Sequence, residues 1–176
     1  MTTIEQSERG SLSSSQRWLS LVIFFAGVSM LIAIVALPWI TLVIARVADV
    51  NLVESFTGWE LVNNLEESIH RVSVDDFRES DMSLRTVWII VGVGALAILG
   101  GLMGLIKQKG LAERDWTLLA TCSLAGFYPF YFLYTQHADS TADTYLLESG
   151  FWIGAVANAV VLLVSAVGAL TAILKK

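Results

Sequence analysis

The chain has 176 residues, of which 55% are hydrophobic and only 15% charged, a balance too apolar for an ordinary water-soluble domain. Its formal net charge of -5 comes mostly from acids between residues 49 and 81, and no run of lysine and arginine could follow a phosphate backbone, so nucleic acid is not an expected partner. The single cysteine, Cys122, rules out an internal disulfide and a cysteine-based metal site.

The first apolar run extends from Trp18 to Ala45. It is longer than the roughly 7–15 residues of a signal-peptide core and is not followed by a small-residue cleavage site, so it reads as an uncleaved first membrane span. Three more runs, residues 86–106, 116–134 and 151–174, also reach the length of about 20 apolar residues that a hydrocarbon core requires. None of the four has an Asp, Glu, Lys, Arg or His in its interior, so each can insert as a helix without a compensating charge.

Basic residues give an orientation. Arg9 and Arg17 precede the first span, Lys107, Lys109 and Arg114 lie between the second and third, and Lys175 and Lys176 follow the fourth. By the positive-inside rule both termini and the short middle loop are cytoplasmic. Trp18 and Trp116 on the inner side, and Trp88 and Trp152 on the outer, stand near the starts of the spans and read as headgroup-level anchors.

The first external loop, residues 46–85, contains Thr57 and Glu60 at the spacing of a capping box. Trp59, Val62, Leu65, Ile69 and Val72 follow at helical intervals. They predict an amphipathic helix, rather than strands, lying over the outer ends of the spans with Trp59 against them. The second external loop, residues 135–150, lacks Lys and Arg and is too short for a domain.

In the second span Gly100 and Gly104 have GxxxG spacing, with Ala97 and Gly101 offset by one residue, while Gly154 and Asn158 share a face of the fourth. Small residues let helices approach closely in lipid, and a carboxamide there seeks a partner across helices. These six residues are the candidate packing surface, within the chain or toward a partner. Trp39, Trp59, Tyr128 and Tyr131 are the candidate lining of an apolar ligand pocket beneath the outer cap. The aromatic run Phe127–Tyr134 reads as an interfacial belt or a lipid contact.

No catalytic, cofactor or metal site is expected. His70 and His137 lie near Asp75, Asp76, Asp139 and Asp143 without a ligand-spacing motif, and no nucleophile elbow or nucleotide-binding loop is present.

Several short motifs, spread over most of the chain, resemble the claudin group of four-span proteins, related to the peripheral myelin and epithelial membrane proteins. Ala36-Leu37-Pro38-Trp39 is similar to the Leu-Pro and tryptophan that end a claudin first helix. Gly58-Trp59-Glu60-Leu61 stands where claudins carry Gly-Leu-Trp, and Arg85 precedes the second span as a claudin arginine does. Uncharacterised bacterial four-span proteins share much of this layout. The claudin pattern also includes two first-loop cysteines joined across a small sheet, and this loop has neither.

The expected fold is therefore an all-α membrane protein, a single domain over residues 1–176. It forms an antiparallel four-transmembrane-helix bundle, with crossings of roughly 20° and an amphipathic helix in the first extracellular loop. The expected function is that of a non-catalytic organiser or accessory subunit in the cell membrane. Its expected partners are the lipid bilayer and either a second copy or another membrane protein; the alternative is a lipid- or small-molecule-binding or transport protein with a pocket at the outer end of the bundle.

Overall fold

The computed structural model describes residues 3–47, 50–63, 87–106, 111–139 and 145–174. In chain order these form α1 (Thr3–Ala36), β1 (Pro38–Val47), β2 (Val50–Thr57), α2 (Gly58–Asn63), α3 (Val87–Ile106), α4 (Glu113–Asp139), β3 (Tyr145–Leu147) and α5 (Ser149–Ile173).

Four helical segments, Ser15–Ala36, Val87–Ile106, Glu113–Thr135 and Ser149–Ile173, are long and apolar enough to cross a membrane, which supports a multi-pass membrane protein. Between 33% and 39% of the most apolar window of each is buried inside the protein. The outward faces carry Phe25, Ile32, Leu99, Leu118, Leu124, Leu163 and Leu170. Burying such side chains is worth about 25 cal/mol per Å², so faces of this kind suit lipid and not water.

The first span is shorter than its hydropathy implies. The residue before a proline is pushed out of the α region, and Pro38 itself has no N–H for an intrahelical bond, so α1 stops at Ala36. The β-branched residues of PWITLVIARV then favour a strand. The expectation of one span from Trp18 to Ala45 is corrected here: residues 38–45 belong to β1.

A three-stranded antiparallel sheet has the order β2-β1-β3. Strands thus occupy residues 46–47 and 50–57 of the first loop, whose pattern was expected to favour a surface helix over strands. The capping box does form: the Glu60 carboxylate accepts from the Thr57 N–H at 2.8 Å, and Thr57 Oγ1 accepts from the Glu60 N–H at 3.2 Å. The helix it starts, α2, ends at Asn63, and the remainder of the predicted amphipathic helix, residues 64–72, lies outside the described residues.

Each long helix packs mainly on two others, in the cycle α1, α3, α4, α5 and back to α1, with a smaller contact between α3 and α5. Between α1 and α3 the approach is at its closest where glycines lie. A β-carbon on Gly27 would be 2.8 Å from the Gly94 carbonyl oxygen, and one on Gly101 would be 2.8 Å from the Phe24 backbone nitrogen. The pairs Gly27 with Ala97, Phe24 with Gly101 and Ser20 with Gly104 progress in opposite directions along the two helices, so α1 and α3 are antiparallel.

Candidate functional site

The sheet meets the helices at Trp39. The register of β1 against β2 runs Pro38 to Thr57 and then Ile40 to Phe56, which leaves Trp39 as the extra residue of a β-bulge. Bulges re-aim a side chain, and this one accompanies complete burial of the indole. The ring stacks on Phe130 of α4 at 5.5 Å between centroids and 27° between planes, and meets Phe151 of α5 edge-on at 6.2 Å.

Trp39 also satisfies backbone groups that secondary structure leaves open. Its Nε1–H donates to the Ala33 carbonyl at 2.7 Å, one of the last four carbonyls of α1, which have no intrahelical partner. Its own carbonyl accepts from the Glu148 N–H at 2.9 Å, just before α5. Three glycines make room for the ring: β-carbons on Gly58, Gly150 and Gly154 would lie 3.0, 2.5 and 3.3 Å from Trp39 atoms.

A second tie runs beside it. Thr41 Oγ1 donates to Glu148 Oε1 at 2.9 Å and shares a 2.7 Å hydrogen bond with Ser55 Oγ. β1, β2 and the start of α5 are thereby fastened together. Trp59, 43% exposed, packs edge-on against Trp88 at the start of α3 with centroids 5.5 Å apart.

The four aromatic candidates do not share one pocket. Trp39 is enclosed, Trp59 is on the α3 side, and Tyr128 and Tyr131 point outward with 55% and 68% exposure. A shallow, almost wholly apolar groove of about 560 Å³ lies elsewhere, between α1 and α5, lined by residues including Val22, Phe25, Ser29, Trp152 and Val156.

The small-residue candidates divide between two seams. Ala97, Gly101 and Gly104 are buried against α1. Gly100 instead turns toward α4, where a β-carbon would lie 3.0 Å from Leu119 Cδ1. Gly154 faces Phe130 as well as Trp39, and Asn158 fits the notch left by Gly126 and donates from Nδ2 to the Ser123 carbonyl at 3.0 Å. These contacts are all made within the chain. Gly27 and Gly126 went unnoticed because neither has a small residue at i+4 to flag it.

Trp116 departs from the anchor role expected of it. Its ring is fully buried over Gly168 of α5, with Cε2 2.7 Å from where a β-carbon would stand. By contrast, Trp18, Trp88 and Trp152 are well exposed.

Among the described residues no three His, Cys, Asp or Glu side chains converge. His70, Asp75, Asp76 and Asp143 lie outside the described residues, as do the side chains of His137 and Asp139. No family model, no curated protein and no solved structure matches this chain.

Proposed function

We propose that this chain is a non-catalytic, multi-pass protein of the cell membrane that acts as an organiser or accessory subunit. It works through its outer cap and its helix faces, on a second copy or on another membrane protein. The four apolar helices form an antiparallel membrane-spanning bundle with both termini in the cytoplasm, an orientation supported by the basic residues beside the inner ends.

The observation that carries this reading is the enclosure of Trp39. One side chain is held by α1, α2, α4, α5 and the bulge of β1, so the sheet is fixed to the helices. A rigid outer platform suits recognition, because little order is lost when a partner binds. A small sheet directly after the first span also supports a claudin-like layout, which we extend to this chain without the cysteine pair.

The test is cross-linking of the tagged full-length chain in native membranes, followed by purification in mild detergent. A discrete homo-oligomer or a stoichiometric membrane partner is expected. Recovery of the monomer alone from both preparations would overturn the proposal.

A further inference from the structure

Hydroxyls on the long helices mostly satisfy themselves. Ser20, Thr117 and Thr121 donate to the carbonyl four residues back, and Thr135 and Thr171 to the carbonyl three residues back. Ser123 of α4 and Ser165 of α5 are as deeply buried as any residue in the chain, yet their Oγ atoms make no such bond.

Two further groups on the same pair of helices share this condition. Trp116 Nε1 and Asn158 Oδ1 are buried and have no hydrogen-bond partner among the described residues. Seven residues separate Trp116 from Ser123, and seven separate Asn158 from Ser165, which is two helical turns or about 10.5 Å in each case. Trp116 lies on Gly168, and Asn158 bonds to the Ser123 carbonyl. The helices are therefore antiparallel, and the four residues fall within one stretch of α4 and α5, with Ser165 between Asn158 and Gly168 in sequence.

Unsatisfied buried polar groups are rare and costly, and the usual remedy is ordered water making about three hydrogen bonds. We propose that the α4–α5 seam binds a short file of water along Trp116, Ser165, Ser123 and Asn158. An indole N–H needs an acceptor and a carboxamide oxygen needs a donor; water supplies both.

The file enters at one end only. Trp116 is in the first turn of α4, next to the α3–α4 connection, where water is close. Beyond Asn158 the seam meets Gly154, Phe130, Phe151 and the enclosed Trp39, an apolar plug. The seam is thus a blind, hydrated slot and not a conduit.

The chain contains its own control, because Trp39 is an equally buried indole whose N–H is bonded to Ala33. In the full-length protein in detergent micelles, the two indole N–H signals are assigned by Trp116→Phe and Trp39→Phe, and their exchange into D2O is followed by NMR. The Trp116 proton is expected to exchange faster by roughly tenfold or more, the ratio that one hydrogen bond corresponds to. Equal protection of the two would overturn the proposal.

Ser123→Ala and Ser165→Ala give a second reading. A hydrated seam loses water contacts and Tm falls, whereas a dry seam is relieved of an orphaned hydroxyl and Tm rises. A Tm that depends on sodium over choline at equal ionic strength would identify the occupant as a cation and would also overturn the water assignment.

Discussion

Trp39 and Ala33 are joined by a 2.7 Å hydrogen bond from the indole N–H to the carbonyl, so a side chain of the sheet finishes the last turn of α1. A helix end inside an apolar setting needs such a partner, because an unpaired carbonyl there keeps its full desolvation cost. The bond, the stacking on Phe130 and the bulge are three aspects of one placement. The sequence PW after the helix supplies all of them: the proline stops α1, and the tryptophan, one residue on, turns back over it.

Trp39→Phe keeps much of the aromatic contact and removes the donor. We expect it to destabilise the fold by about 1–3 kcal/mol, the cost of one buried unsatisfied group, and Trp39→Ala by about 3–5 kcal/mol because a cavity is added. Thermal unfolding in detergent measures both. If the phenylalanine variant were as stable as the parent, the bond to Ala33 would have no part in holding the end of α1.

Two glycines on α3 predict opposite signs. A β-carbon on Gly101 would stand 2.7 Å from Phe24 Cβ, whereas one on Gly92 would meet nothing within 4 Å among the described residues. Gly101→Ala should cost about 1–3 kcal/mol through overpacking, and Gly101→Leu should separate α1 from α3 outright. Gly92→Ala should be neutral or stabilising by up to about 1 kcal/mol, from the lower helix propensity of glycine. The comparison is made by Tm and by association state in one detergent. Equal losses at Gly92 and Gly101 would show that helix propensity, and not the approach of α1, governs both.

The capping box offers a local test. Glu60→Ala removes the acceptor for the Thr57 N–H and Oγ1, and should cost about 1 kcal/mol of helix-end stability. Its effect should be concentrated in α2, whose Trp59 rests on Trp88. Near-ultraviolet circular dichroism is expected to lose part of the coupled tryptophan signal, while the far-ultraviolet spectrum of the long helices stays the same. An intact near-ultraviolet signal would mean that Trp59 is held by something other than the cap.

The helices were legible because their signal is local: about 20 apolar residues without a charge state their own length, and Thr57 with Glu60 states a cap. The strands were hidden for a related reason. WITLVIARV is as greasy as a span, and hydropathy does not distinguish a β-branched strand from three more helical turns; the proline at 38 was the available clue. The Trp39 enclosure was out of reach, since it joins residue 39 to residues 58, 130, 150 and 154, and only the fold brings these together. Trp116 shows the same limit. Its position at a span end is equally typical of a headgroup anchor and of a ring buried over a glycine, and Gly168 opposite it decides the matter.

Orientation gives the last prediction. Glu54 is an exposed residue of β2, and Leu174 is an exposed residue just past α5 with 84% exposure. The proposed orientation, read from the basic residues, predicts the first outside and the second in the cytoplasm, and the free Cys122 must first be removed to give a silent background. In Cys122→Ala protein, Glu54→Cys should react with an impermeant maleimide added to intact cells, and Leu174→Cys only after permeabilisation. Since β1 follows α1 directly and β3 leads into α5, the sheet must share one side of the membrane with the end of the first helix and the start of the last. Labelling of Leu174→Cys in intact cells would therefore invert the whole assignment and put the platform around Trp39 on the cytoplasmic side. Reaction at both positions would instead remove at least one of the four crossings.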